Sequence, residues 1–221
     1  MFSAKIADLP EDAPRFADNI LIFACMFEDL KLGKYPSDTV FDAIYPKKYQ
    51  EHSARHFTPV RIAIEAAKFL AQSPSDHVLD IGSGSGKFCM VGSMFAEGHF
   101  YGVEMRKTLI NLSNRIKRTH HLKTAHFIHS DFTALDFSRY QGIYFFNSFH
   151  EFYDASCVLD ETSRVSLEEY RQYHHDLKRK LEECVPGTRL ATYYTFKNRI
   201  PSCFRFIKAN KTGLLKFYIR K

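Results

Sequence analysis

Cysteine is scarce and irregularly spaced. Five occur in 221 residues, Cys25, Cys89, Cys157, Cys184 and Cys203, and no C-x-x-C pair is among them. An odd, scattered set excludes a disulfide framework or a zinc ribbon legible from spacing. Reduced core thiols in a cytoplasmic protein are expected instead. No grouping of His, Cys and acids has metal-ligand spacing, so no metal is expected. The longest apolar run, Ile20 to Phe27, is eight residues, against the ~20 needed to span a bilayer, and no membrane association is expected. Asp8, Glu11 and Asp12 precede any apolar stretch, the wrong charge pattern for a secretory leader. Gly/Ser linkers and internal repeats are missing too. No RNP-like aromatic motif, helix-turn-helix or finger pattern is present, which argues against a dedicated nucleic-acid module.

What is present is ordinary for a globular chain, with 45% hydrophobic and 25% charged residues. The expected organisation is an N-terminal helical extension over 1–56 and one domain over 57–221. The net charge of +6 is unevenly placed. Lys197 to Lys221 holds eight basic residues and no acid, and the rest of the chain is slightly acidic. Such a segment is either a solvated face or the footprint of an anionic partner.

Phe16, Ile20, Phe23, Phe27 and Leu30 recur at helical steps, which predicts an amphipathic helix and, through it, a homodimer. A second helix is expected over Pro59–Ala71, with Ile62, Ala66, Phe69 and Leu70 on its apolar side. From there strand and helix patterns alternate, the signature of a parallel α/β sheet. Strands are expected at His77–Ile81, Phe100–Glu104, Ala125–His129, Gly142–Asn147 and Thr188–Phe196. Helices should follow at Phe88–Phe95 and Lys107–Arg118, and a long one after Ser166. Cys203–Ile207 and Leu214–Ile219 read as a closing hairpin around Asn210–Gly213.

The strand at His77–Ile81 runs into Gly82-Ser83-Gly84-Ser85-Gly86. Glycines between strand and helix let backbone approach a ligand and adopt positive φ. Dinucleotide binders use G-x-G-x-x-G; this loop is G-x-G-x-G. Asp80, two residues before it, would repel a pyrophosphate but could bind an ammonium group. S-adenosylmethionine (SAM) carries that group and no phosphate. Glu104 ends the second strand, where an acid can accept both hydroxyls of a ribose. Asp131, after the third, can accept from an adenine amino group, with the Phe132 ring beside it to cover the base. Three acids at three strand ends fit one ligand with an amine, a diol and an exocyclic amino group.

The stretch from Phe57 to Phe149 resembles the core of the class I, Rossmann-like, SAM-dependent methyltransferases. Asp80 to Gly86 resembles their first motif, Gly102-Val103-Glu104 their second and Ser130-Asp131-Phe132 their third. The resemblance implies a doubly wound, mostly parallel seven-stranded sheet whose last strand is antiparallel. It implies SAM as cofactor, held by Asp80, Gly82, Ser83, Gly84, Gly86, Glu104, Met105, Asp131 and Phe132. Gly-Val-Glu, Asp-Phe and Phe146-Asn147-Ser148-Phe149 are most similar to the non-SET histone-lysine methyltransferases. Phe57-Thr58-Pro59 resembles the entry segment of adenine amino-methyltransferases, which puts Phe57 and Thr58 at the methionine end of SAM.

Ligands of open α/β sheets bind beyond the carboxyl ends of the strands, so Asn147 is expected to face the methyl donor. Its amide oxygen can accept from an amine and align it with the sulfonium methyl. His150 is the candidate base, with Glu151, His52 and His56 as other titratable neighbours. The adenine and glutamine enzymes carry proline where Ser148 stands, which leaves a lysine-like amine open as acceptor. The expectation is methyl transfer to an amine nitrogen of a protein or similar acceptor. The alternatives are a nucleic-acid or small-molecule methyltransferase, a non-catalytic SAM-fold module, and an NAD-linked oxidoreductase, against which the glycine spacing and Asp80 both count.

Overall fold

The computed structural model describes residues 26, 32, 34–51, 53–146, 167–195 and 199–221. The chain divides into two compact units, Met1–His56 and Phe57–Lys221. In the first, short helices α1 (Asp38–Asp42), α2 (Lys47–Gln50) and α3 (Ser53–His56) follow one another. Ser37 starts α1 by accepting the Val40 N–H at 3.2 Å, a side-chain N-cap. Met26, Phe41, Ile44 and Tyr45 are buried. Met26 is helical; the rest of the helix expected over Phe16–Leu30, and the dimer contact assigned to it, lie outside the described residues.

The second unit runs α4 (Val60–Leu70), β1 (His77–Ile81), α5 (Lys87–Phe95), β2 (His99–Glu104), α6 (Lys107–Thr119), β3 (Ala125–His129), β4 (Gly142–Phe146), α7 (Leu167–Glu182), β5 (Arg189–Tyr193), β6 (Phe204–Ala209) and β7 (Leu215–Arg220). The sheet order is β3-β2-β1-β4-β5-β7-β6. Strands β1 to β5 pair in parallel, and β7 runs antiparallel to both β5 and β6. This is the expected doubly wound sheet with one reversed strand.

Alternation along the strands loads both faces with apolar side chains, as a sheet covered on two sides requires. On one face Phe88 of α5 stacks on Tyr144 at 3.9 Å, and Phe69 of α4 meets Phe217 at 4.7 Å. On the other, Leu79, Ile81, Val103, Ile143, Phe145 and Leu190 share a core with Leu177 and Leu181 of α7.

The structure corrects several expected boundaries. The buried face of α4 carries Val60, Ala63, Ile64, Ala66, Ala67 and Leu70; it includes Ala66 and Leu70 of the expected side, whereas Ile62 and Phe69 are only half-buried. Strand β5 stops at Tyr193 because Tyr194 adopts φ +53°, which breaks the extended chain. No α-helix joins β3 to β4; two single 3-10 turns, Phe132–Ala134 and Phe137–Arg139, do so. Asp131 and Asp136 cap them by accepting from Thr133 and Ser138, the local bonding that favours turns over helix propagation.

The glycine loop is seated by what its neighbours lack. A Cβ on Gly102 of β2 would lie 2.6 Å from the Ser83 side chain, and one on Gly86 would lie 2.5 Å from the Phe127 ring. Gly86 also has φ +81°, whereas Gly84 has φ +55° and a Cβ there would meet nothing within 4 Å. Gly84→Ala should therefore cost only the left-handed backbone penalty, about 1–2 kcal/mol. Gly86→Ala adds overpacking of about 1–3 kcal/mol to it. Urea unfolding of the two variants checks this; equal losses would contradict the seating of Gly86 against β3.

Candidate active site

Strands β1 and β4 are adjacent, yet the chain leaves β1 toward β2 on one side and reaches β4 on the other. That is a topological switch point, where a crevice opens at the carboxyl edge of the sheet. The loop after β1 lies there. Gly82, Gly84 and Gly86 all have positive φ, and Ser83 N–H donates to the Val103 carbonyl at 2.9 Å. The chain is thus pinned to β2 while the Gly84 side opens outward.

Asp80 sits beneath this loop, 4% exposed. The Cys89 thiol of α5 donates to its Oδ2 at 3.7 Å. Burial, with the charge of Glu104 adding to it against the thiol's opposing bond, pushes the Asp80 carboxyl up to about 8. A carboxyl so placed is neutral at physiological pH until a cation arrives. The same burial, together with the nearby Asp80, raises the Cys89 thiol well above its ordinary value, so Cys89 is a donor and not a nucleophile.

Glu104 lies at the end of β2 and is 6% exposed. Its Oε2 accepts the Gly84 N–H at 3.0 Å, so the second acid ties directly to the loop. Its Oε1 accepts the Arg106 N–H at 2.9 Å, and the Arg106 side chain lies against both oxygens. Asp131 follows β3, its Oδ1 taken by the Thr133 N–H and hydroxyl at 2.8 Å each. Tyr173 of α7 donates to the Met105 sulfur at 3.5 Å. Burial and the charge of Asp131 raise the Tyr173 hydroxyl above its usual range. Met105, 49% exposed, therefore shares with Tyr173 and Asp131 one corner of the carboxyl edge.

The structure thus brings together Asp80, Gly82, Ser83, Gly84, Gly86, Glu104, Met105 and Asp131. It gives the remaining described candidates different surroundings. Thr58 is buried with its hydroxyl 3.0 Å from that of Tyr144, and Phe57 is buried too. Phe132 is buried in the α7-side core, with its ring 6.0 Å from that of Tyr173. The open wall beside Asp131 is Tyr173 and Met105, not the expected Phe132 ring. Asn147, Phe149, His150, Glu151 and His52 lie outside the described residues. Sequence reasoning misses Arg106 and Tyr173 as site residues. Arg106 stands two places after Glu104, but nothing local marks its side chain as folding back onto that acid; Tyr173 stands on a distant helix with no local mark.

At the carboxyl ends of β4 and β5 three aromatic rings gather. Phe146 lies 5.0 Å from Tyr193 and 6.2 Å from Tyr194, and the two tyrosines meet edge-on at 4.7 Å. Tyr194 is 52% exposed. The β6–β7 turn Asn210–Gly213 reaches this same edge, since Leu215 pairs with Tyr193. Much of the basic C-terminal charge is tied down locally. Lys216 and Lys221 donate to the Thr195 and Ser202 carbonyls, Arg220 donates to that of Cys184, and Lys208 lies over the Phe217 ring. Among the described residues, no group of three or more His, Cys, Asp or Glu could hold a metal ion. No described helix is long and apolar enough to cross a membrane.

A family model described as a methyltransferase domain matches residues 72–184. No curated protein sequence matches the chain. The crystal structure of TrmN from Thermus thermophilus is similar at 17% identity and a TM-score of 0.56, covering 77% of this chain and 51% of that one. The yhhF protein of Escherichia coli is similar at 15% identity and 0.51, covering 73% and 86%. The match thus spans about half the length of the TrmN chain. At such identities the likeness is one of fold.

The Asp80 carboxyl makes stability depend on pH. Its folded value of about 8 exceeds the ordinary 3.8, so between those values the folded state holds a proton that the unfolded chain has shed. Stability of the free protein should fall as pH rises from about 4 to 8 and level off above that. Asp80→Asn should flatten that dependence in urea unfolding from pH 5 to 8.5. An unchanged slope in the variant would show that Asp80 does not carry it.

Proposed function

This chain belongs to the methyltransferase-domain family, and on that premise we propose that it is a SAM-dependent enzyme that methylates an amine nitrogen, a protein lysine being the favoured acceptor. The residues at the switch point fit that cofactor. Asp80 is a buried carboxyl held neutral at pH 7 chiefly by burial, and an ammonium group brought beside it would favour its charged form. Glu104 offers paired oxygens at a strand end, as a ribose diol needs. Met105 and Tyr173 border the corner beside Asp131, where a flat base with an exocyclic amino group has both apolar walls and an acceptor. Gly84 leaves room for close approach over the loop.

SAM supplies a methyl group already activated on a sulfonium. The chain's own task is then to hold an acceptor in line and to keep water away. Asn147 directly follows β4 in the sequence, and its amide oxygen is the group assigned to orient the acceptor amine. His150 is assigned to take its proton.

The observation that carries the amine reading is the cluster of Phe146, Tyr193 and Tyr194 at the ends of β4 and β5. Aromatic faces attract ammonium groups and their methylated forms by about 0.5–2 kcal/mol. A carbon acid has no such need of them; a planar base could stack on the same rings, and the labelling experiment below separates the two acceptors. The likeness of Gly102-Val103-Glu104 and of Phe146 to Phe149 to the non-SET histone-lysine enzymes supports the same acceptor class. A cytoplasmic setting accords with the reduced cysteines Cys89, Cys184 and Cys203.

Labelled SAM incubated with separate protein, RNA, DNA and small-amine pools tests the reading. Label is expected in protein or amine, and label confined to nucleic acid would overturn it. With an active acceptor, Tyr194→Ala should raise its KM by roughly 2–30-fold, the size of one cation–π contact, while SAM affinity stays constant.

A further inference from the structure

We propose that the Arg106 guanidinium is an internal stand-in for the ribose diol: it holds the two positions on Glu104 that the cofactor must take, and its displacement sets cofactor affinity. The inference rests on the SAM reading above.

A carboxylate presents about four lone-pair positions, and on Glu104 all four are engaged. Oε1 accepts the Arg106 backbone N–H at 2.9 Å and its Nε–H at 2.9 Å. Oε2 accepts the Gly84 N–H at 3.0 Å and the Arg106 Nη2 at 3.2 Å. The two backbone donors belong to the glycine loop and to the turn that leaves β2, so they cannot depart without unseating both. The two guanidinium donors lie one on each oxygen, a bidentate fork. Two vicinal hydroxyls would need the same pair of positions. A fifth and sixth donor cannot be added, so the ribose and the fork exclude each other.

The burial of the pair explains why a stand-in is present. Glu104 is 6% exposed and the Arg106 side chain 19%, so the carboxylate is sealed while the arginine borders solvent. A buried charge without a partner is costly, and the fork removes that cost in the free protein. The arginine side chain can turn toward water when the diol replaces it, because it already reaches the surface. The exchange gives up an ion pair for two bonds from uncharged hydroxyls, so part of the cofactor's intrinsic affinity is consumed in displacing Arg106.

Binding of S-adenosylhomocysteine by calorimetry to the wild type, Arg106→Met and Arg106→Lys gives the test. Arg106→Met should bind roughly tenfold tighter, because the free state loses its internal competitor. Arg106→Lys, which keeps a charge but not the fork, should fall between. Unchanged or weaker binding in Arg106→Met would overturn the proposal, since a guanidinium that stays in the complex would be a supporting partner of Glu104. A second measurement needs no variant. In ¹⁵N spectra of the wild type, the Arg106 Nε–H signal should shift and lose its protection from solvent exchange on saturation with the same ligand. A signal that stays put and protected overturns the proposal. A wild type that binds no S-adenosylhomocysteine at all would instead defeat the cofactor reading on which the proposal stands.

Discussion

Asp80 places an ionisable carboxyl in the interior, at the end of the strand on which the rest of the sheet is ordered. Burial this complete disfavours its charge, and the Cys89 thiol at 3.7 Å is a weak donor to set against that. On the proposed function, a cation of the cofactor held beneath the loop would offset that cost. Three glycines with positive φ turn the chain over the carboxyl. Gly102 lacks a side chain where Ser83 settles, and Gly86 lacks one where Phe127 and Ser113 close in. A scaffold that only needed to fold would place an apolar residue at 80, as it does at Leu79 and Ile81.

The sheet order then decides which groups meet around that carboxyl. With β1 between β2 and β4, Glu104 comes to one side of the loop and the end of β4 to the other. Gly84 N–H bonding to Glu104 links the first two acids into one frame. Asp131 lies one strand further out and shares its corner with Tyr173 and Met105. On the opposite flank β7 brings the end of β6 and its turn up to Tyr193. The crevice therefore has an acidic side along β1 to β3 and an aromatic side along β4 and β5. That division suits a cofactor with several hydrogen-bond donors on one side and an acceptor amine on the other.

Much of this is legible in the sequence because strands in a parallel sheet are short, apolar and bounded by turn residues. His77–Ile81 and Ala125–His129 are found where the pattern puts them, and Asp80 and Glu104 end up joined by the loop they flank. What the sequence does not show shares a cause, which is packing between distant segments. The hydroxyl of Thr58 also meets that of Tyr144, a pairing across 86 residues that the sequence does not show. Phe132 follows Asp131 in the chain, yet its ring turns to the core beside Phe137, and the exposed wall comes from α7. At the end of α4, Gly142 of β4 has no side chain where Leu70 approaches, a contact that no local pattern marks. Arg106 is visible in the sequence only as one of several basic residues, since nothing local says that a side chain will fold back onto the acid two places earlier. The roles given to Asn147 and His150 stand on sequence alone.

Binding of SAM or its product at this edge, in preference to a dinucleotide, is the property on which the proposed function depends. Thermal unfolding in the presence of S-adenosylhomocysteine measures that without knowledge of the acceptor. A ligand that binds only the folded state stabilises it by about 2.7 kcal/mol at one hundred times its Kd. For a chain of this size that is a rise in Tm of roughly 5–10 °C. The account predicts such a rise with S-adenosylhomocysteine and none with NAD at the same concentration. A flat response to S-adenosylhomocysteine, or an equal rise with NAD, would contradict it.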